Sequence, residues 1–482
     1  MEEPFAGLEP ARLWRYFLEI SRIPRTSRNE KQVIAYITKQ AQELKLKTRL
    51  DRAGNLVVEK DASLGKAAAP TIVLQSHVDM VGVSAPGSRH DFLRDPLRPV
   101  VRGEWVKATD TSLGADNGIG VALMLALMAD AFESVPLEFL FTVNEEAGMT
   151  GAKALDRDFV HGRKLINLDG EAFGAFCISC AGSRDMIVHF PVKKEPLRVE
   201  NTLYILQVSG LKGGHSGGDI NAGRMSANKL LVRMLKQLCN KMNIRLLSIT
   251  GGSQRNVISS QARAVISIPA DRLSEAKQAI DSMRARFSQE AADIEPCLRV
   301  TMEAAGNGEQ AGLTAKATDH LVDMLMALPH GVLAMSAHIP GLVQTSTNMG
   351  VIETGDSEVI ITMLTRSAGD SAITEVNERI RTIAKFVGAH ADETTGYPAW
   401  PPALDSPLLT HAQAVYTQLF DAPADVRAVH GGLETAIIGK NIPGMDMISL
   451  GPDIRHPHSV KEMVNIASVG KLHRLVKALV KP

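Results

Sequence analysis

Five side chains that can bind a divalent cation stand at the ends of apolar runs in this chain, His77, Asp116, Glu146, Asp169 and His458, with Asp79 and Glu145, which can carry a proton, close beside. Zinc takes imidazole and carboxylate together, and a carboxylate left over from ligation can act as a base on water. The set reads as a two-metal hydrolase centre. Charge binds it together: Asp116, Glu146, Asp169 and a bridging hydroxide carry four negative charges, which two divalent cations neutralise. Without cations such a cluster is costly to bury.

Each residue also has a plainer reading. His77-Val-Asp79 follows a strand-like run, and at a spacing of two both side chains face one way, as a ligand and its orienting carboxylate would. Taken alone, the pair reads as a turn with a capping Asp. Asp116 opens an apolar helix and can be its N-cap, but Gly114, Gly118 and Gly120 permit a close backbone approach that a cap does not need, which suits a carboxylate bridging two cations. Glu145 and Glu146 leave a buried strand side by side and repel unless cations or protons intervene, so one can bind metal while the other works as a base. Asp169 follows Lys164-Leu-Ile-Asn-Leu. His458 lies in Ile454-Arg-His-Pro-His-Ser, where His456 competes with it.

The runs that end in these residues, such as Thr71-Ile-Val-Leu-Gln-Ser and Leu137-Glu-Phe-Leu-Phe-Thr-Val, have the length and the β-branched or aromatic content of buried strands. In open α/β sheets ligands bind at the carboxyl ends of strands. The pattern predicts helices near 9–21 and 29–45, strands near 48–59 and 71–78, an apolar helix from 113 to 129, and strands at 137–143 and 164–168 with a helix between. After residue 186 strands are expected near 202–209, 244–249, 262–268, 297–303 and 347–364, with helices over 222–239, 271–289, 315–328 and 371–388 and a glycine-rich loop from 210 to 218. The expected fold is α/β in two domains. A helix-covered mixed sheet forms a discontinuous catalytic domain from 1–186 and 398–482, and 187–397 is an inserted α+β domain whose two rounds of strand and helix allow two lobes, with no visible sequence repeat.

Composition narrows the partners. Lys plus Arg equals Asp plus Glu at 53 each, so no global field favours nucleic acid or an anionic membrane. The longest apolar stretch, Val121 to Ala129, is too short to span a bilayer, and the acidic start Met1-Glu-Glu-Pro lacks the basic and apolar regions of a secretory signal. The expected compartment is the cytoplasm. Four cysteines make no disulfide framework, and Cys177, Cys180, Cys239 and Cys297 read as small buried hydrophobes.

The motifs Gln75-Ser-His-Val-Asp-Met, Thr111-Ser-Leu-Gly-Ala-Asp-Asn-Gly-Ile-Gly, Glu145-Glu-Ala-Gly-Met, Gly210-Leu-Lys-Gly-Gly-His-Ser-Gly-Gly and Arg455-His-Pro-His-Ser, in this order, resemble those of the M20 metallopeptidases, and in detail the bacterial aminoacyl-histidine dipeptidases, through almost the whole length. The resemblance implies one zinc held by His77 and Asp169, a second by Glu146 and His458, and Asp116 bridging them. It implies that Asp79 orients His77, that Glu145 is the general base for a metal-bridging hydroxide, and that His215 stabilises the tetrahedral oxyanion. Asn256 and Arg366 resemble lid residues that hold substrate oxygens, although Arg366 alone reads as a surface salt bridge. Glu434 resembles a contact to the free amino group. Two departures stand out: Asp169-Gly-Glu where the family often has an acidic run, and Val460-Lys-Glu where it often has Pro-Asp-Glu.

The function this implies is a di-zinc dipeptidase acting on Xaa-His and other unblocked dipeptides, with manganese or cobalt as other cations the ligands accept. The alternatives are a related amino-acid deacylase or tripeptidase, and a non-enzymatic metal-binding scaffold. Glu145, not needed as a ligand, speaks against the scaffold. The family also implies a homodimer through the inserted domain, in which His215 can serve the partner's site.

Overall fold

A computed structural model describes residues 4–63, 65, 68–198, 201–291, 293–306, 311–337, 339–394 and 396–481; the first three residues of the acidic amino-terminal stretch lie outside them. The chain is mixed α/β and divides into two compact units, Met1–Ser179 with Trp400–Ala428 and Leu433–Pro482, and Cys180–Ala399 with Val429–Gly432.

The first unit is built on an eight-stranded sheet in the order Lys47–Leu50, Leu56–Lys60, Leu137–Thr142, Ile72–His77, Lys164–Asn167, Asp446–Ser449, Ala175–Cys180 and Asp425–Val429. Ile72–His77 runs parallel to both neighbours, and Asp446–Ser449, from the far end of the sequence, extends the parallel set. Every residue of Ile72–His77 and Leu137–Thr142 is buried, which is why Ile72–Leu74 and Phe139–Phe141 are unbroken apolar runs instead of alternating. The one acidic exception, Glu138, receives Arg49 Nη2 at 3.1 Å and the Gly162 N–H at 2.9 Å. The helix Ala115–Ala129 is buried on nearly all sides, so its apolar composition has no polar face. Each fully buried Leu in it, such as Leu123, contributes about 2 kcal/mol. Among the described residues no helix is long and apolar enough to cross a membrane.

The second unit carries a nine-stranded antiparallel sheet. Its path is Arg299–Ala304, Asn201–Ser209, Ala262–Pro269, Arg245–Gly251, Val343–Thr354, Glu358–Ser367, Gly182–Pro191 and His390–Glu393, with Gly331–Met335 paired to Val343–Thr354. Helices Ala227–Lys241, Leu273–Ala291, Ala315–Ala327 and Asp370–Phe386 each bury one apolar stripe. Their residues join Met186, Val188, Leu206 and Ile266 in one core.

Three local expectations change. The helix expected from 222 begins at Ala227, because Gly223 has φ 73° and the Ser226 side chain caps the Lys229 N–H. The strand Gly182–Pro191 was not expected, although Met186, Val188 and Phe190 alternate with less buried residues as a half-buried strand requires. Of the cysteines read as buried, Cys177 and Cys180 are so, but Cys239 is half-buried and Cys297 is exposed in the turn ahead of Arg299–Ala304.

Candidate metal centre

Parallel strands bring the first residues together. His77 ends Ile72–His77, Glu145 and Glu146 follow Leu137–Thr142, and Asp169 follows Lys164–Asn167, so three neighbouring strands deliver ligand-type side chains at their carboxyl ends. Asp116 sits in the first turn of Ala115–Ala129. His458 arrives on the loop between Ile454–Arg455 and Met463–Asn465.

His77 Nε2 lies 3.1 Å from Asp116 Oδ1 and 3.2 Å from Asp169 Oδ1. His458 Nε2 lies 3.1 Å from Asp116 Oδ2 and 2.8 Å from Glu146 Oε1. Asp116 thus gives one oxygen to each pair, and His458, not His456, joins the cluster. These are the spacings of ligands around a shared ion: bonds of about 2.0–2.1 Å in a tetrahedron separate ligand atoms by about 3.3 Å. Glu146 Oε1 is buried and, although 2.8 Å from His458 Nε2, is not aligned for a hydrogen bond. Atoms that crowd without bonding fit a cation between them, so the donor set fits two divalent ions that share Asp116.

Electrostatics agree. Burial opposes charge on His77, yet the Asp169, Asp116 and Asp79 carboxylates raise it well above its ordinary value. The hydrogen bond to Asp116 and the adjacent Glu146 carboxylate push His458 up to about 11. Burial raises Asp169 to about 6 despite His77, whereas Asp116, also buried, is held well below the carboxylate range by hydrogen bonds from His458 and His77. In the protein without metal the two imidazoles therefore carry the counter-charge. Glu145 is within reach of His77 and Glu146. Burial raises its pKa well above normal; His77 opposes this, and Asp169, Glu434 and Glu146 add to it.

Asp79 does more than face His77. Its main-chain carbonyl is 3.1 Å from His77 Nδ1 and its carboxylate 3.4 Å away. The carboxylate accepts the N–H groups of Glu145 at 3.0 Å and Glu146 at 3.1 Å and the Ser27 hydroxyl at 2.7 Å. It fixes the backbone of both glutamates. Sequence reasoning missed three further supports. Glu462 accepts the N–H groups of Leu113, Gly114, Ala115 and Asp116 at 2.7, 2.8, 2.8 and 3.2 Å. The fully buried Arg25 donates to the carbonyls of Val78, Asp79 and Gly114. Asn117 donates to Asp169. Gly114 has φ 67°, and a Cβ there would meet Met80 Sδ at 2.6 Å, so this turn requires glycine.

The other expected site residues divide between the units. Glu434, in the first, is wholly buried; its Oε2 accepts from Gln75 at 2.7 Å and Thr142 at 2.6 Å, Oε1 has no partner, and burial lifts the group to about 8. In the second unit His215 pairs in register with Val257, and the Ser216 N–H donates to the Asn256 carbonyl at 2.9 Å. His215 Nδ1 accepts the N–H groups of Gly217 and Gly218, which leaves the proton on Nε2, 3.5 Å from Arg366 Nη2. Burial and Arg366 keep His215 below its ordinary pKa. Arg366 is not at the surface: it is 5% exposed, donates to the Tyr397 hydroxyl at 2.8 Å, and its Nε has no partner. Two donors that face each other with no acceptor between them make a seat for an anionic oxygen.

Over residues 206–295 the chain matches the sequence model of a peptidase dimerisation domain, and over 55–176 that of peptidase family M28. It is 38% identical over 477 residues, 98% of each chain, to the cytosol non-specific dipeptidase of Escherichia coli K12. The crystal structure of an aminoacylhistidine dipeptidase from Vibrio alginolyticus matches with a TM-score of 0.91 and 34% identity, covering 99% of this chain and 98% of that one. A tripeptidase of Staphylococcus aureus shares the fold, with a TM-score of 0.57, 17% identity and 98% of each chain covered.

Proposed function

The chain belongs to the M20 metallopeptidase family and is a metallo-dipeptidase, and from that premise we propose that it is a cytoplasmic di-zinc enzyme that hydrolyses unblocked dipeptides, Xaa-His among them. The observation that carries this reading is Asp116 shared between two imidazole–carboxylate pairs with Glu145 beside them. The ligand sets are His77 with Asp169 and Glu146 with His458. The names of the two full-length relatives, one non-specific and one for aminoacyl-histidine, support a dipeptide preference that includes histidine without requiring it.

Two divalent cations, which His77, Asp116, Glu146, Asp169 and His458 would hold, would supply a water of pKa lowered from 15.7 towards about 7 and a polarised scissile carbonyl. The protein's own groups do the rest. Glu145 takes a proton from the attacking water and delivers it to the leaving amine. Asp79 holds the Glu145 backbone in place for that transfer. The Nε2–H of His215 donates to the developing oxyanion, and Arg366 with Asn256 takes the substrate carboxylate. The substrate amino group meets Glu434 through Oε1, the oxygen its neighbours leave without a hydrogen bond. Residues 1–186 with 398–482 form the catalytic domain in this reading, and 187–397 the lid and dimerisation domain; the match over 206–295 supports a homodimer.

Rates on a free dipeptide ending in histidine, its N-acetyl form and the corresponding tripeptide test the substrate class. Preference for the N-acetyl form assigns a deacylase instead, and preference for the tripeptide a tripeptidase. Glu145→Gln tests the chemistry: bound metal is retained while turnover falls by about 10²–10⁴. Unchanged turnover removes Glu145 from the mechanism.

A further inference from the structure

Outside the catalytic cluster, the described residues hold two more groups whose His, Asp and Glu atoms converge, Glu59–Glu138–His161 and His189–His390–Asp392. The first is already neutralised, because Arg49 pairs with both Glu59 and Glu138. The second has no such cation. Among the described residues neither Asp392 nor Glu358 is paired with Lys or Arg; their ion-pair partners are His189 and His390.

Sheet register creates the second group. His390 lies directly across from His189 on the neighbouring strand, and their rings stack 4.7 Å apart with an interplanar angle of 8°. Asp392, two residues on, points to the same face of the sheet as His390. Its Oδ2 is 3.7 Å from His189 Nε2 and 3.9 Å from His390 Nε2. From the third strand Glu358 Oε2 reaches His189 Nδ1 at 3.1 Å. A carboxylate that accepts a hydrogen bond from Nδ1–H fixes the tautomer in which Nε2 is a bare lone pair, the form that binds metal. In that form lone pairs of His189 and Asp392 face one another, an arrangement that a cation converts from repulsion to ligation.

We propose that His189, His390 and Asp392 form a separate site for one first-row transition cation of the zinc, nickel or copper class, with Glu358 orienting His189. Two imidazoles exclude magnesium and calcium, which take oxygen ligands. Asp392 Oδ2 stands about half an ångström farther from each imidazole nitrogen than the edge of a zinc tetrahedron, about 3.3 Å. His390 and Asp392 are exposed and can close that gap by side-chain rotation. A bound ion ties the four-residue edge strand His390–Glu393 to Gly182–Pro191 and so raises the melting temperature of the protein.

The test is zinc stoichiometry on metal-depleted full-length protein, comparing wild type with H390A/D392A, both positions being exposed and outside the catalytic machinery. The variant binds one equivalent less, its dipeptidase rate is unchanged, and the cobalt(II) difference spectrum against wild type shows ligand-field bands. H411A, which removes another exposed imidazole, keeps the full count. Equal stoichiometry in wild type and H390A/D392A overturns the site, as does the same loss in H411A. The comparison reads a difference of one ion whatever the catalytic centre binds, so the failure of one reading is distinct from the failure of the other.

Discussion

Glu462 accepts the backbone N–H of Asp116 at 3.2 Å across 346 residues of sequence. With the three N–H groups before it also on this carboxylate, Glu462 holds the turn that aims Asp116 at both imidazoles. The site is therefore anchored twice to the carboxyl-terminal segment, directly by His458 and indirectly by Glu462 four residues later.

Glu462→Gln puts an amide NH₂ where one oxygen accepts two N–H groups, and leaves donors unpaired in a buried turn. Stability of the metal-free protein falls by about 1–3 kcal/mol in urea unfolding. Bound metal falls with it, because Asp116 loses its fixed direction. Wild-type stability and full metal content in the variant would show that the turn holds itself.

Metal uptake is coupled to protons. His77, raised well above its ordinary value, and His458, at about 11, are both protonated at neutral pH when no metal is bound, and must give up those protons to become ligands. Calorimetric titration of the metal-depleted protein at pH 7, repeated in buffers of different ionisation enthalpy, releases at least two protons per chain, those of the two imidazoles and any that Glu145 holds. Affinity weakens as pH falls. A heat independent of buffer would mean that the imidazoles are neutral beforehand.

Acid acts on the second unit through His430. Burial, with Arg366 nearby, lowers this imidazole from 6.5 to about 4, and its Nε2 is 2.7 Å from the Ser346 hydroxyl. Between those values the unfolded chain binds a proton that the folded chain does not, so the stability is whole above 6.5 and is lost as pH falls towards 4. The span corresponds to about 3 kcal/mol. Urea midpoints measured across this window fall less steeply in His430→Gln than in wild type. Parallel curves would show that His430 titrates normally in the fold.

The sequence made the proposed ligands legible because His77, Asp116, Glu146, Asp169 and His458 each interrupt or terminate an apolar run, where a charged side chain needs a reason to be. Glu462 and Arg25 gave no such signal. Their work is done on backbone groups, and nothing in Val460-Lys-Glu reveals that the glutamate points inward to four N–H groups. Arg366 reads as a surface charge for the same reason: one Arg at the end of a strand carries no mark of burial, and its surroundings come from Tyr397 and the His215 loop. The alternation in Gly182–Pro191 is present but blurred by Ile187, an apolar residue on the less buried side that makes Met186-Ile-Val188 read as a continuous apolar run.

That buried Arg366 yields the sharpest check on substrate recognition. Its guanidinium lacks a carboxylate partner among the described residues, and its Nε is unsatisfied, so an incoming carboxylate finds a desolvated fork already in place. Lysine keeps the charge but not the fork. Arg366→Lys should lower kcat/KM for a dipeptide by about a hundredfold, near 3 kcal/mol, the scale of a lost charge-assisted pair. The dipeptide amide, which has no carboxylate, separates recognition from damage to the fold: wild type should turn it over poorly, and the substitution should lower its rate little further. An equal loss on acid and amide would move Arg366 from substrate recognition to support of His215.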